Sequence, residues 1–453
     1  MNSQTKGFLN SRFFKLIIFA VAFLGFLAFS CVYLKDFDYV MSLKRLPVLA
    51  LMAALPMLCV GVYFYFVKKI NTSTFVFILL AMACVMAIRL SMLDYLSSDY
   101  IVCLEPWTTA LRRPNGFSGL QEDFANYNMP YLYVLALIGK TNLHQLYPIK
   151  FFSIYFDFFA AYYIMRISAF FFKSIQKQIA VFFAVLLFPT VILNSAYWAQ
   201  CDAVYAAFAV GAVYYGLTKR SRLCFIMLAL AIAFKLQAVF IIPFIIVLLF
   251  TKRIKLKALL YLPVTFFLTL VPALLAGKPF MDTISIYYNQ ANQYPSFSMN
   301  APSVYFFLNI DYVFDLKLMN YATVFLAGAA ILLVLYYCWL KRSCFDTKAL
   351  LLLAFFFSLL VPFLLPRMHE RYFYMAELLS VIPLLLSRRR LFIPLIMLYV
   401  TCRTYSVVLF SDSTVNRQWL AIMLIIVLLV TAWDIVKRLK SNSAVLKEAK
   451  KFE

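Results

Sequence analysis

The chain has 453 residues, of which 65% are hydrophobic and 13% are charged, and its formal net charge is +23. Soluble domains carry about 25% charged residues, so this composition excludes a soluble fold, and no nucleic-acid partner is expected. Apolar runs of about 20 residues, the length that crosses a bilayer core, recur along the chain and lack the period-two alternation of an outer-membrane barrel. We predict an all-α polytopic membrane protein with one integral-membrane domain, residues 1–453.

Fourteen transmembrane helices are predicted from these runs. The first run is not followed by a small-x-small cleavage site, so we interpret it as a retained helix and not as a signal peptide. The predicted spans are residues 15–34, 46–67, 74–93, 149–172, 179–195, 203–218, 222–238, 238–251, 257–276, 319–340, 347–365, 373–387, 391–410 and 418–437.

The basic clusters between the spans predict the topology. With the N-terminus in the cytoplasm, Lys68–Lys69, the KRIKLK run at 252–257, the Arg388–Arg390 triplet and the tail from Lys437 all fall on the cytoplasmic side. Because basic loops stay inside, both termini are expected in the cytoplasm. The positive charge then indicates orientation, with membrane lipid as a partner.

Residues 94–148 form a polar interruption in an otherwise apolar chain, and they are predicted to lie outside the membrane as a functional loop. Within the loop, residues 128–140 are apolar but short, and counting them as a span would invert every later basic cluster. We therefore interpret 128–140 as a juxtamembrane helix at the outer surface. A second outer loop is predicted at 277–318.

Charged residues also interrupt two of the predicted spans. Lys235 lies in the 222–251 segment, where a long helix should be most apolar, so the chain is predicted to bend near Lys235 and Pro243. Asp157 and Arg166 are nine residues apart in another span, and we interpret them as structural partners on one side of that helix.

Four polar segments reach the predicted outer side: 94–148, 197–205, 234–243 and 367–374. A charge stranded in lipid costs about 3 kcal/mol unless it is paired or hydrated. The segments supply the acids Asp99, Glu105, Asp202 and Glu370, and the cations Lys235, Arg367, His369 and Arg371. Acids beside cations at a membrane surface would suit a substrate with an anionic head and a lipid tail, such as a polyprenyl-phosphate sugar.

Three motifs in these segments carry a family resemblance. WAQCD at 198–202, FKLQA at 234–238 and MHERYF at 368–373 resemble the WGQxD, KPQA and HERYF signatures of bacterial GT-C glycosyltransferases. That group is related to the eukaryotic GPI mannosyltransferase and to the dolichol-pathway glucosyltransferases. The first outer loop is also similar to that of the family, so the resemblance extends from about residue 94 to about residue 375.

The chain departs from the family pattern at three positions. Ala199 replaces the usual Gly, Leu236 replaces a Pro, and Met129 replaces the first Pro of the juxtamembrane helix. None of these changes removes a charged group, but they leave the sugar open.

The resemblance implies a GT-C-type bundle of about 14 transmembrane helices with outer-face juxtamembrane helices. It further implies a hexose transferred, with inversion, from a polyprenyl-phosphate-sugar donor to a glycan or lipid-linked acceptor at the outer face of a bacterial plasma membrane. Asp99 matches the loop acid of the family and is expected to be the general base, with Glu105 as the second candidate. The residues expected to bind the donor phosphate are His369, Arg371, Arg367 and Lys235. The residues expected to line the substrate pocket are Asp202, Gln200, Trp107, Glu370, Tyr127 and Tyr131.

Two other classes of protein remain open from the sequence. A glycan polymerase or ligase would share an outer-face site but normally has a large late outer loop, of which 277–318 is a moderate version. A lipid-linked sugar flippase or other transporter should instead show repeat symmetry and mid-membrane polar groups. Walker, GxGxxG, HExxH and paired CxxC motifs are absent, and the acids are too few to support a divalent metal cofactor.

Overall fold

The computed structural model of the protein describes residues 12–40, 44–66, 70–112, 116–292, 297–307 and 316–449. These residues form helices joined by short turns, and their extended structure is confined to two-residue strands. The helices are α1 Arg12–Leu34, α2 Leu46–Tyr65, α3 Thr72–Leu90, α4 Glu105–Arg112, α5 Met129–Gly139, α6 Leu146–Ser168, α7 Ile175–Leu186, α8 Pro189–Ile192, α9 Asp202–Leu217, α10 Ser221–Phe234, α11 Ile242–Phe250, α12 Tyr261–Leu275, α13 Phe280–Asn292, α14 Leu316–Leu340, α15 Thr347–Leu364, α16 Tyr374–Leu379, α17 Val381–Leu386, α18 Phe392–Leu409 and α19 Arg417–Ala449. The strands are β1 Ser298–Met299 and β2 Met368–His369.

The helices make this chain a multi-pass membrane protein, as predicted. Within the described residues, eight helical segments are long and apolar enough to cross a bilayer, and the bent pair formed by α7 and the segment Pro189–Tyr197 would bring the number to nine. The remaining predicted spans coincide with shorter apolar helices and with α6, which is long but carries three charged residues. The all-helical class is therefore confirmed, and the number of fourteen spans stays a prediction.

The buried fraction of each helix distinguishes core helices from peripheral helices. About four-fifths of the apolar window of α15 is buried (78%), whereas α1 is only 11% buried and exposes apolar side chains along its length. Helix α9 packs against α6 and α10, and α15 packs against α19 and α16. The core helices are therefore those that carry the motifs or flank them.

Polar side chains at helix ends satisfy backbone groups that have no partner within the helix. Asn71 accepts a hydrogen bond from the Thr74 N–H at the start of α3 (2.8 Å). At the end of α3, the buried ammonium of Lys150 donates to three carbonyl oxygens of residues 92, 93 and 95, at 2.7–3.1 Å. A cation is favourable there because carbonyl oxygens concentrate negative charge at a helix C-terminus. Lys150 thereby fixes the chain where it enters the 94–148 loop.

The interpretation of Asp157 and Arg166 as partners is wrong. Asp157 instead pairs with Arg89 of α3 at 3.2 Å, with both side chains fully buried, and it also accepts from the Ser195 hydroxyl at 2.6 Å. Arg166 donates to the Tyr214 hydroxyl at 2.8 Å. Nine residues turn a helix by about two and a half turns, because one turn takes about 3.6 residues, so the two side chains leave α6 on opposite sides.

The two short strands connect the second predicted outer loop to the HERYF motif. Strands β1 and β2 run parallel, with Met299 opposite His369. The Arg367 N–H donates to the Phe297 carbonyl at 2.8 Å, and the Tyr305 hydroxyl donates to the Leu364 carbonyl at 2.7 Å. The described part of the 277–318 loop is therefore fastened directly to residues expected at the site.

Removing one partner of the buried Arg89–Asp157 pair should destabilise the protein strongly. Arg89→Met leaves a carboxylate without its cation in the helix bundle, and breaking such a pair costs about 3–5 kcal/mol. We expect a clearly lower apparent Tm for the purified protein in detergent. Arg89→Met combined with Asp157→Asn should recover much of the loss, and an unchanged Tm in the single variant would contradict this account.

Candidate active site

Asp99 lies at the start of a π-helical turn, Tyr100–Leu104, and Ser97 holds it in place. The Ser97 hydroxyl accepts from the Tyr100 N–H at 3.2 Å and donates to the Trp198 carbonyl at 2.6 Å. Ser97 therefore caps this turn, and the side chain of Asp99 makes no capping hydrogen bond. As a result, the Asp99 carboxylate is available to other groups, and the first loop is fastened to the WAQCD segment.

The WAQCD segment follows a second π-helical turn, Leu193–Tyr197, and reverses direction at Ala199. The backbone of Ala199 is left-handed, with φ +64°, a conformation that favours glycine. The Trp198 N–H donates to the Leu193 carbonyl and the Gln200 N–H to the Asn194 carbonyl, both at 2.8 Å. π-turns of this kind are frequent at functional sites, and here the reversal directs the side chain of Gln200 toward Asp99.

Three distant motifs meet at a buried charge cluster, which we define as Asp202, Lys235 and Arg371. The Lys235 ammonium lies 2.7 Å from Asp202 Oδ1, and Arg371 Nε lies 3.7 Å from Asp202 Oδ2. Asp202 also accepts from the Asn194 amide at 2.8 Å. Lys235 occupies the break between α10 and α11 in extended conformation, which confirms the predicted bend at that residue. Its amine is buried and paired, so it does not snorkel to the lipid surface.

Asp99 joins this cluster through two contacts. The Gln200 side-chain amide donates a short hydrogen bond to Asp99 Oδ2, and Arg371 Nη1 lies 3.9 Å from the same oxygen. Tyr127 donates to Gln200 Oε1 at 3.4 Å, and burial raises the pKa of Tyr127 well above its ordinary value, so this hydroxyl keeps its proton. About a third of the Asp99 side chain is exposed (34%), which leaves it reachable from outside the cluster.

The HERYF loop adds a second acid and a histidine. Glu370 is buried, lies 3.0 Å from Arg371 Nη1 and is 3.8 Å from His369 Nδ1. Burial opposes ionisation of Glu370, but the hydrogen bond from His369 and the charge of Arg371 hold the pKa of Glu370 below its ordinary value. Arg371 is therefore surrounded by carboxylates from three parts of the chain, and its guanidinium also lies 5.4 Å from the Trp198 ring centroid.

A cavity of about 310 Å³, which we call the cationic cavity, opens beside the cluster. Its described lining includes all four basic side chains that the sequence analysis assigned to the donor phosphate, and it contains no carboxylate. These side chains are Lys235, Arg367, His369 and Arg371. Another part of the wall is apolar and is formed by Val239, Phe240, Val324 and Leu365. One cavity thus offers positive charge and an apolar surface together.

Other residues expected at the site lie farther from the cluster. Glu105 accepts from the Gln145 amide at 3.5 Å, on the side of the loop that faces His144. Trp107 and Tyr131 both pack against Tyr127, with ring centroids 5.2 and 5.3 Å from it. The structure therefore brings Asp99, Gln200, Asp202, Lys235, His369, Glu370, Arg371 and Tyr127 together, while Trp107 and Tyr131 support Tyr127.

Sequence reasoning missed three residues that shape the site, and it gave no role to Trp198 of the WAQCD motif. The missed residues are Ser97, Asn194 and Tyr405, and all three are buried. Asn194 donates to both Asp202 and the Tyr405 hydroxyl, at 2.8 and 3.1 Å. Its position in a predicted span was a usable signal, because a polar amide inside a membrane helix needs a partner. Tyr405 lies outside every motif, so the sequence offered no comparable signal for it.

A metal site finds no support in the described part of the chain, where no group of three or more His, Cys, Asp or Glu side chains is arranged to hold an ion. The charges at the cluster are balanced by lysine and arginine. The described residues thus offer a partly exposed carboxylate at Asp99 beside a cavity that basic side chains line.

The fold is that of a multi-pass helical membrane protein, and within it three distant motifs meet at one buried charge cluster. The sequence model of glycosyltransferase family 87 matches residues 126–362, which is more than half of the chain. The protein therefore belongs to glycosyltransferase family 87, and the resemblance to GT-C enzymes is confirmed. Comparison with curated proteins gives no match. The matched region contains Gln200, Asp202 and Lys235, whereas Asp99 and the HERYF motif lie outside it.

Because the backbone at Ala199 is left-handed, replacing Ala199 with glycine should not destabilise the protein. A residue with a side chain costs about 1–2 kcal/mol in this conformation, and the related motif has glycine at this position. Ala199→Gly should therefore leave the apparent Tm in detergent unchanged or raise it, although glycine also loses more entropy on folding.

The matched comparison is Ala199→Val, because a β-branched side chain is a strong outlier at positive φ. We expect Ala199→Val to lower the unfolding free energy by about 1–3 kcal/mol, with a corresponding drop in Tm. Equal stability of the valine and glycine variants would argue against the turn described here.

Proposed function

We propose that this protein transfers a hexose from a polyprenyl-phosphate-sugar donor to a hydroxyl of a glycan or lipid-linked acceptor. The cationic cavity supports this proposal most strongly, because it combines three cations and a histidine with an apolar wall. A donor with a phosphate head and an isoprenoid tail needs both features at one place. The reaction is proposed for the outer face of a bacterial plasma membrane, with both termini in the cytoplasm.

The proposed chemistry is a single displacement with inversion. The acceptor oxygen forms a bond to the anomeric carbon of the sugar as the bond from that carbon to the phosphate oxygen breaks. The acceptor proton passes to Asp99, and the electron pair of the broken bond stays on the polyprenyl phosphate. Positive charge builds on the sugar ring, as in glycoside hydrolysis, and negative charge builds on the phosphate.

Fixed cations favour this step because they are already oriented where the negative charge develops. Arg367 and His369 line the cationic cavity, and Lys235 and Arg371 lie at the boundary between that cavity and the charge cluster. Arg371 is within 3.9 Å of Asp99, so the proposed phosphate site and the proposed base adjoin. Such adjacency is required if the acceptor hydroxyl is to reach the anomeric carbon.

The contacts of the two candidate acids favour Asp99 over Glu105 as the base. Asp99 is partly exposed and connects to Arg371 and Gln200, whereas Glu105 contacts Gln145. Asp202 and Glu370 are also acids of the site, but both are buried and paired with cations. We assign Asp202 and Glu370 to positioning Lys235 and Arg371, with Gln200 and Tyr127 holding the Asp99 carboxylate.

Asp99→Asn should lower kcat by about 10²–10⁴-fold, because a positioned general base contributes a factor of that size. The assay is transfer from synthetic polyprenyl-phosphate hexoses by purified protein in lipid nanodiscs. Glu105→Gln is the matched acid-to-amide comparison and should keep most of its activity. Full activity of Asp99→Asn, or loss only in Glu105→Gln, would contradict the assignment, and NMR of the product should show an inverted anomeric centre.

Arg367→Gln and His369→Ala should each lower kcat/KM for the donor by about 10- to 100-fold, because a hydrogen bond to a charged group contributes about 1.5–3 kcal/mol. Lys140→Gln is the control, since this exposed outer-loop cation lies over the Phe117 ring and does not line the cationic cavity. Equal losses in all three variants would indicate a general charge effect and not a phosphate site.

The family assignment favours sugar transfer over transport, and the number of sugars added to one product separates single transfer from polymerisation. Movement of a labelled lipid-linked sugar across vesicles by a protein that transfers none would instead support the transporter. Repeated addition of sugars to one product would support the polymerase.

A further inference from the structure

A second cavity, of about 640 Å³, lies between the first predicted outer loop and helix α13. We call it the α13 cleft. Trp107, Asp123 and Asn126 line one wall, and Asp282, Asn289 and Gln290 line the other. None of the motif residues of WAQCD, FKLQA or MHERYF contributes to its described lining, so neither the motifs nor the proposed mechanism assigns it a role.

Helix α13 is fastened to the first loop at both of its ends, which makes the cleft a built feature and not a gap between loose segments. Before its N-terminus, the buried ammonium of Lys278 lies 2.8 Å from Asp123 Oδ1. Near its C-terminus, the Gln290 amide donates to the Asn126 carbonyl at 2.6 Å and to Asn128 Oδ1 at 2.9 Å.

The turn before α13 also depends on the first loop. Gly277 has φ +96°, and a Cβ there would lie 2.6 Å from the side-chain nitrogen of Gln121. The same Gln121 amide donates to the Ala276 carbonyl. The positive φ favours glycine at this position, and the Gln121 hydrogen bond ties the turn before α13 to the first loop.

The chemistry of the α13 cleft differs from that of the cationic cavity. Its described lining contains two carboxylates, three amides, a serine, the Trp107 indole and a few apolar side chains, and no lysine or arginine. Carboxylates and amides are planar groups with several hydrogen-bonding sites, and an aromatic ring offers an apolar face. This combination fits an uncharged, hydroxyl-rich ring and would repel a phosphate or a carboxylate.

The two cavities share a wall. Asn126 and Gln290 line both of them, and the hydrogen bonds between these segments form the partition. Trp107 of the α13 cleft packs on Tyr127, Tyr127 donates to Gln200, and Gln200 donates to Asp99. A ligand in the cleft is therefore next to the residues that hold the proposed base.

We propose that the α13 cleft binds the acceptor, and that the part bound there is an uncharged pyranose. The identification of the bound sugar as the acceptor rests on the proposed function. The binding of a pyranose in the α13 cleft does not. Asp282 and Asn289 would hydrogen-bond the ring hydroxyls, and Trp107 would pack on the apolar face of the ring.

The first experiment measures binding without turnover. Saturation-transfer-difference NMR would use Asp99→Asn protein in nanodiscs with butyl glucoside, butyl galactoside and butyl mannoside, and with butyl glucuronide as the charged comparison. We expect ring-proton signals from at least one uncharged pyranoside and weaker signals from the glucuronide. Introducing Asp282→Ala or Asn289→Ala into the Asp99→Asn protein should weaken pyranoside binding by about tenfold.

Met281→Ala is the matched control, because Met281 precedes Asp282 on the same helix, is 73% exposed and does not line the α13 cleft. It should bind like the parent. Asn289 is exposed, so Asn289→Ala should fold normally. It therefore tests the cleft even if Asp282→Ala lowers the yield of folded protein.

The second experiment is kinetic and uses whichever pyranoside binds. In the active enzyme, Asp282→Ala and Asn289→Ala should raise KM for the acceptor about tenfold and leave KM for the polyprenyl-phosphate donor unchanged. Absence of binding by every pyranoside, preferred binding of the glucuronide, unchanged binding in both cleft variants, or a change in donor KM alone would each overturn the proposal. Pyranoside binding that depends on Asp282, without any sugar transfer, would support the cleft and reject the proposed enzymatic function.

Discussion

The site depends on one interaction, the pairing of Asp202 with Lys235 and Arg371. These residues come from the start of α9, the break after α10 and the loop before α16, and their charges meet where water is largely excluded. Each charge would be costly there alone, because burying an unpaired ion costs several kcal/mol. Together they satisfy one another, and the pairing fixes the relative positions of three helical segments. Asp99 of the first loop contacts Gln200 and Arg371, so the same cluster positions the proposed base.

The distribution of charge around this cluster separates two environments. Cations without carboxylates line the cationic cavity, and carboxylates with amides line the α13 cleft. The separation has a simple electrostatic consequence, since an anionic donor and an uncharged acceptor would each be favoured on one side and discouraged on the other. Helix α13 and strand β1 both belong to the second predicted outer loop. That loop therefore contributes to both environments, one through α13 and the other through its pairing with Met368 and His369.

Much of this arrangement was predictable from the sequence. The all-helical membrane class, the break at Lys235 and the gathering of three motifs follow from the apolar runs and from the cost of isolated charges in lipid. Pairing within α6 was predicted wrongly, because the angle between residues nine apart was misjudged, and Asp157 has its cation on another helix. Glu105 and Asp99 are six residues apart and both carry a carboxyl group, yet a π-turn directs Asp99 toward Gln200 and leaves Glu105 beside Gln145. The role of α13 was also invisible, since its polar residues resemble those of any exposed helix.

The sequence by itself determined what must be buried and what must be paired. Long apolar runs require lipid or a helical core, and each embedded charge requires a partner, so the class of fold and the identity of the charged motifs could be known from the chain alone. Only the tertiary structure decided which partners meet. Pairing between Asp202 and Lys235, or between Lys278 and Asp123, depends on how helices cross and where turns reverse, and these are set by packing over the whole bundle. Spacing along one chain contains no such information, because residues a hundred positions apart become neighbours only when the helices between them have packed.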